Sequence, residues 1–565
     1  MSISPTGRTF NRSVIFKSSA STLGLLALSY GALRAAEHFK LCSLTALQKK
    51  QGGAVATLVY GVAMTWHFSR PIKEAIVGQE EEFDVNTFLA VYDPHVHGMN
   101  GSTMRETYFK ELLRAIMTNL IRDGKQEVPK NSGDEERACL EQIKFALNSE
   151  NGGEASYGIL VTYHQKLMGL ENLTTEGRAF SRSLAKARMT VKMQGPQEVF
   201  VKEFTGKYQP ELTLSNFADV FRNRNRLVEE APAEMKMWSV WSNWNKLWGA
   251  LSRVTFFKVN PPSLLETITL TDQWNQPRKI DYIRMPTPHE PGAVIDPTFT
   301  EYLRILQDDN KGFLYCSHQR LLDQNDPNFD IKKVFEKEDP RSQSLIALEE
   351  KHPNLLLIFQ SVENELCKEE AIEVNTLKGM IKKSFTHFDP NGYNQNRLPK
   401  CLQKNEAYAT KMDQMLNAVE AVFFPGQDKP LTGEERISFV FYFYAVQRLD
   451  LMTGDYIQRY PIGGMSTPCK DFFDRGLGQA LMTRIINLVL IYGANIPAKA
   501  LEYVASSGQF PPLLGKGLAP LLHRYYNACS AIKRMSNLKE LSLNPLRQFL
   551  NGWTVSAVTP PDEKP

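Results

Sequence analysis

The chain contains no Cys-x-x-Cys pair, no basic tract and no uninterrupted apolar run of the about 20 residues that a membrane-spanning helix needs. Each absence weighs against a class of protein. Seven scattered cysteines, odd in number and without repeating spacing, exclude a disulfide framework, a zinc ribbon and a thioredoxin-like redox site, and they point to a reducing compartment. With 66 basic against 62 acidic residues the net charge is only +4, too small to track a nucleic-acid backbone. What remains is a globular composition, 42% hydrophobic and 23% charged, on 565 residues, enough for two or three domains and a sizeable core.

Two short apolar runs stand near the start. Ser21 to Ala36 and Gly52 to Trp66 are rich in small residues and are separated by a polar link with Lys49 and Lys50, while Arg34 interrupts the first. Three readings stay open. Gly24, Gly31, Gly53 and Gly61 permit a close-packed membrane hairpin, similar to the paired hydrophobic lobe of secreted inclusion-membrane proteins of intracellular bacteria. Arg8, Arg12 and Lys17 ahead of the first run, with Ala35 and Ala36 behind it, fit a signal peptide. The third reading is a pair of buried helices.

Val85 to Tyr92 is a short strand-like run leading into Asp93-Pro94-His95-Val96-His97. Alternation along a strand puts His95 and His97 on one side, a metal-ligand geometry that resembles the first metal-binding strand of the amidohydrolase superfamily. The later strand-end histidines such a site needs are not evident, so ordinary hydrogen-bonding loop histidines are the competing reading. Apolar residues then recur at helical spacing over 104–123, 134–148 and 156–170. A boundary falls near 200, before the strand-like Val199 to Thr205. Trp238, Trp241, Trp244 and Trp248 share one helical face, which suits either a core helix or an interfacial helix whose Lys236, Lys246 and Arg253 meet anionic lipid.

From about residue 260 the pattern alternates strand and helix. Strands are predicted at 268–270, 279–284, 312–316 and 354–360, with a short one at 456–462, and helices at 342–352, 363–385 and 433–452. The last of these is buried, apolar nearly all round, and begins with a Thr432/Glu435 capping box. This order implies an α/β layer, or an α+β one, with a partly parallel sheet and ligands beyond the carboxyl ends of its strands. The tail from 498 to 549 reads as helical segments packed on that layer, ending in a disordered stretch from Thr559. The segments are 1–78 (hydrophobic), 79–198 (mainly helical), 199–495 (α/β, carrying the candidate site) and 496–565 (helical extension and tail).

The candidate site is Cys469-Lys470-Asp471-Phe472-Phe473-Asp474-Arg475-Gly476, followed by an apolar helical run from Leu477 to Tyr492. Five residues between a cysteine and an arginine let one loop curl round a tetrahedral oxyanion, backbone N–H groups inward and the thiol beneath it. Arg475 can hold two oxygens at once, and a helix starting at the loop favours both an anion and a thiolate. The rival reading is a buried inert thiol beside a helix-capping arginine. Cys469, Asp471, Asp474 and Arg475 form C-x-D-x-x-D-R, which resembles the loop of Sac-type phosphoinositide phosphatases. Lys470 with Cys469, Asp474 and Arg475 is similar to the loop of bacterial effector phosphoinositide phosphatases.

The resemblance spans about a dozen residues and implies a cysteine-dependent phosphoric monoester hydrolase working through a cysteinyl-phosphate, without metal or cofactor. It casts Cys469 as nucleophile, Arg475 as clamp, and Asp471, Asp474 or His318 as general acid. Lys470, Phe472, Phe473, Gly476 and His318 are then substrate-binding, Lys470 meeting a second phosphate. The partners implied are a phosphoinositide lipid or inositol phosphate at a membrane surface, in a membrane-associated protein that is a candidate secreted bacterial effector; no protein partner is evident. Gly476 departs from the families, which carry Thr or Ser there to help the cysteine leave. That departure leaves two rivals in play: a phosphoinositide-binding module without turnover, and a metal-dependent hydrolase using His95 and His97.

Overall fold

The computed structural model describes residues 101–122, 133–149, 153–192, 213–216, 260–290, 293–319, 338–362, 365–368, 370–386, 396–469, 472, 475–493, 495–507, 521–536 and 543–560. The unit described here falls within 85–565, and residues 1–84 lie outside the described residues. The two hydrophobic runs, His95 and His97, the segment 199–205 and the tryptophan-bearing segment 234–253 all lie outside the described residues.

Four helices open the described part: α1 (Gly101–Arg122), α2 (Asp134–Asn148), α3 (Glu154–Met168) and α4 (Thr175–Met189). Leu112, Ile116, Leu140, Ile143, Leu160 and Leu184 close their core, each worth about 1.5–3 kcal/mol when fully buried. Periodicity predicted the first three. The fourth, rich in Arg, Lys and Ser, was missed because its start is set by capping: Thr174 Oγ1 accepts from Gly177 N at 3.0 Å, and the buried Glu136 carboxylate on α2 takes Thr174 N and Oγ1 at 3.1 and 2.6 Å.

A six-stranded mixed sheet follows, making the unit α/β. β1 (Ser263–Thr271) and β2 (Pro277–Arg284) form an antiparallel hairpin; α5 (Pro297–Asp308) leads to β3 (Gly312–Ser317), and α6 (Glu338–Lys351) to β4 (Leu355–Phe359). Then come α7 (Val374–Thr386), α8 (Glu406–Phe423), α9 (Gly433–Thr453), β5 (Ile462–Ser466), α10 (Arg475–Tyr492), α11 (Ala498–Ser507), α12 (Leu521–Ser536) and β6 (Thr554–Thr559). The spatial order is β4-β3-β5-β2-β1-β6. β4, β3, β5 and β2 run parallel; β1 is antiparallel to both its neighbours.

Helices cover both faces, which is why β3 and β4 read as continuous apolar runs. On β3, Phe313 and Tyr315 face the helices α5 and α6 through Phe299, Tyr302 and Leu345, while Leu314 and Cys316 join the larger core with α9 and α10. α9 is buried from Arg436 to Thr453 and carries the expected capping box, Glu435 N donating to Thr432 Oγ1 at 3.3 Å and Thr432 N to Glu435 Oε2 at 2.9 Å.

Three expectations are corrected. The strand expected at 456–462 is a turn, and β5 starts where it was to end, at Ile462. Its glycines argue against a strand by propensity, but packing demands them: a Cβ on Gly464 would lie 2.9 Å from the Phe313 ring. The helix expected over 363–385 is a short 3₁₀ turn at Glu365–Cys367, a bridge from Ile372 to Leu431, and then α7, because pairing with the segment before α9 claims the backbone first. Thr559, assigned to a disordered end, lies in β6 and pairs with Thr267. The last turn before it is fixed by Asp450, which accepts from Tyr456 Oη at 2.6 Å and Asn551 Nδ2 at 3.0 Å and pairs with Lys411 at 2.5 Å.

Candidate functional site

β5 is the central member of the parallel strands, with β3 on one side and β2 on the other, so the loop leaving its carboxyl end is flanked by the ends of both. Two further backbone bonds extend this pairing past the strands. His318 N donates to Pro468 O at 3.0 Å from the β3 side, and Thr287 N donates to Cys469 O at 3.0 Å from beyond β2. Cys469 therefore stands three residues beyond Ser466, held on both flanks and 2% exposed.

The turn that follows is tight. Phe472 N approaches Cys469 O at 3.4 Å, and Phe472 has φ +62°, a left-handed conformation that costs a non-glycine residue on the order of 1 kcal/mol. Its ring is fully buried in the main core, which anchors the turn against that cost. The chain enters α10 at Arg475, whose Nη1 donates to the His318 carbonyl at 3.0 Å. The helix thus presents its positive end and a guanidinium to the loop together.

The two ends of the loop touch. Thr467 Oγ1 lies 2.8 Å from Tyr282 Oη and 3.4 Å from Gly476 O. A Cβ on Gly476 would sit 2.5 Å from Thr467 O and 3.1 Å from Cys469 N, both backbone atoms that cannot swing away. Position 476 therefore has no room for a side chain, so the glycine is required by closure of the loop.

Beneath the loop lies a buried polar group centred on Arg448 of α9. Its Nε donates to Thr483 Oγ1 at 2.8 Å, Nη1 to Gln360 Oε1 at 2.7 Å and Nη2 to Gln479 Oε1 at 2.9 Å. These acceptors are all neutral. The side chain is fully buried, and burial pulls the guanidinium pKa below its ordinary value. Gln360, just past β4, also takes His318 Nδ1 on its carbonyl at 2.7 Å. A carbonyl only accepts, so Nδ1 carries the hydrogen. Burial, then Arg448, and more weakly Arg475 hold the His318 pKa well below 6.5. With Nδ1–H donated to the Gln360 carbonyl, a neutral ring carries only a lone pair on Nε2, which counts against His318 as a proton donor. Cys316, one strand over, is a contrasting thiol: burial pushes its pKa up to about 12.

The fold thus brings together Cys469, Phe472, Arg475, Gly476 and His318. Lys470, Asp471, Phe473 and Asp474 lie outside the described residues. Sequence reading missed Arg448, Gln360, Gln479 and Tyr282, while Thr467 fits the loop pattern ahead of Cys469. Arg448 had a legible signal, a charge set inside a helix otherwise read as buried; the others had none. Among the described residues no group of His, Cys, Asp or Glu is arranged to hold a metal, and no helix is long and apolar enough to cross a membrane. Compared with known proteins, the chain matches no family model, no curated protein and no solved structure.

Proposed function

We propose that the loop after β5 binds a phosphomonoester and that Cys469 attacks its phosphorus, so that the chain is a cysteine-dependent phosphoric monoester hydrolase. One observation carries this reading: Cys469 and Arg475 stand at the two ends of a strand-loop-helix junction at the carboxyl edge of the parallel strands, with Arg475 Nη1 fixed on the His318 carbonyl. That is where an open α/β sheet binds ligands, and where a helix start and a guanidinium act on the same anion.

The chemistry follows from the residues. The Cys469 thiolate forms an S–P bond as the P–O bond to the leaving group breaks, and the departing alkoxide takes a proton from a general acid, Asp471 or Asp474 by resemblance. Water then attacks phosphorus, the S–P bond breaks, and phosphate leaves with the thiolate restored. Arg475 and the positive end of α10 stabilise the charge on the equatorial oxygens. Phosphoinositides or inositol phosphates are the substrate class that the C-x-D-x-x-D-R pattern favours.

The close packing at Gly476 favours a second reading, in which the loop binds the same ligands without turnover. No side-chain hydroxyl fits at this position to help the cysteine leave. Phosphate release by the full-length chain from a panel of phosphoinositide vesicles and soluble inositol phosphates separates the two. Under the first reading release survives chelator and falls at least about a thousandfold in Cys469→Ser. Arg475-dependent binding without release establishes the second; release abolished by chelator alone overturns both.

A further inference from the structure

The donor that holds Cys469 from beyond β2 is itself held. Thr287 N donates to Cys469 O at 3.0 Å. Thr287 Oγ1 lies 2.5 Å from His289 Nδ1, and His289 Nε2 lies 3.1 Å from Arg341 O and 2.7 Å from Ser344 Oγ, both on α6. Each hydrogen along this chain can be placed. Ser344 Oγ donates to Arg341 O at 2.9 Å, so both oxygens are acceptors toward His289, and Nε2 carries the hydrogen of the ring. Nδ1 then offers a lone pair, to which the Thr287 hydroxyl donates. Burial keeps that lone pair free of a proton, lowering the His289 pKa to about 3. Tyr315 of β3 is hydrogen-bonded to Thr287 and lies within electrostatic reach of Cys469. With the Thr287 hydrogen committed to His289, the tyrosine is the donor in that bond. Thr287 and His289 are fully buried, so they act on the loop and not on a ligand.

Resting on the reading of Cys469 as nucleophile, we propose that His289 and Thr287 are positioning residues, a relay from α6 to the Cys469 carbonyl that fixes where the loop holds its thiol. The N–H of Thr287 reaches the carbonyl whatever its side chain does, but only the hydroxyl bond to His289 ties that backbone to α6. Without the bond, Nδ1 is a buried acceptor lacking its donor, and the segment after β2 can shift and take the Cys469 carbonyl with it. Displacing a nucleophile by a fraction of an ångström slows attack more than it weakens binding, since Arg475 and the end of α10 still hold the anion.

Two readouts on the full-length chain test this: alkylation by iodoacetamide, followed at each cysteine by mass spectrometry, and phosphate release from the panel of phosphoinositide vesicles and inositol phosphates. Thr287→Val keeps the N–H and the side-chain shape but cannot donate to His289. In it, Cys469 alkylation should accelerate at least about fivefold relative to Cys316 and Cys529, both fully buried, and kcat should fall about tenfold at nearly constant KM. Thr287→Ser restores the donor and should recover most of both effects. Equal acceleration at all three cysteines marks general loosening and overturns the proposal, as does a Thr287→Ser variant no closer to native than Thr287→Val. No release by the native chain overturns the hydrolase reading alone, and the ratio of alkylation rates still decides the relay. Should Thr287→Val not fold, His289→Leu against His289→Gln makes the same comparison, because the glutamine amide both accepts and donates.

Discussion

Two fully buried histidines, His164 on α3 and His318 beyond β3, each lie beside a fully buried arginine, and they differ in what is left over. At His164 both ring nitrogens are used: Nε2 donates to Ser181 O at 3.0 Å and Nδ1 accepts from Arg188 Nη1 at 2.8 Å. Arg188 in turn reaches Thr298 Oγ1 at 2.8 Å, and the Asp296 carboxylate that caps α5 belongs to the same cluster. This arrangement ties α3 and α4 to α5, and what it leaves over is on the arginine: Arg188 Nε and Nη2 have no hydrogen-bond partner among the described residues. At His318 one nitrogen is used and one is not, and the neighbouring Arg448 has only neutral oxygens for partners. The same pair of residue types thus leaves its spare polar atoms on the arginine in one region and on the histidine, beside a loop, in the other.

The strongest way to break this comparison is to remove each arginine. Arg188→Met and Arg448→Met should each lower stability by about 2–4 kcal/mol in urea unfolding, because each leaves buried acceptors unpaired. Only Arg448→Met should also weaken phosphate binding, by about tenfold, since only that guanidinium adds positive potential under the loop. Equal anion affinity in the two variants would make both clusters structural.

A smaller difference is expected from the histidines themselves. His164→Phe strands the Ser181 carbonyl and the Arg188 guanidinium and should cost about 2 kcal/mol, whereas His318→Phe loses one bond and removes an unsatisfied nitrogen, costing about 1 kcal/mol or less. Thermal unfolding of the two variants side by side checks the order, and the reverse order would mean that His318 is the better-satisfied residue.

The smallest difference between the two regions is in acid, where the two histidines behave alike. The pKa values of His164 and His318 are held well below 6.5 by burial, and that of His289, bonded to Thr287 and Arg341 O, falls to about 3 for the same reason. Below about pH 6.5 the unfolded chain takes up protons that the folded chain refuses, so stability is full above that pH and is lost as the pH falls, about 1.4 kcal/mol per unit for each histidine. For His289 the loss continues down to about pH 3. Unfolding midpoints between pH 7 and 4 should fall, and a flat profile would show that these rings are protonated in the native state.

Much of the site could be read from the chain. Cys469, Arg475 and the apolar helix between them and Tyr492 follow from spacing and periodicity, and Thr432 with Glu435 marked the start of α9. His318 was visible as a candidate, but its protonation was not, because that depends on Gln360, Arg448 and Arg475 arriving from three other elements. β5 was misplaced because its two glycines speak against a strand unless the Phe313 ring opposite is known. β6 was missed because six residues of modest propensity become a strand only when the edge of β1 is there to pair with.

The sequence by itself determined many of the local elements, the strand and helix alternation that follows the first hairpin and the spacing from Cys469 to Arg475 at the start of α10, since these depend on neighbours within a few turns of the chain. Tertiary structure decided which strand stands at the centre, that Gly476 has no room for a side chain, and that His318 is a neutral acceptor. Each of those is set by atoms brought together from more than a hundred residues apart or by backbone closing on itself, and neither spacing nor composition encodes such contacts.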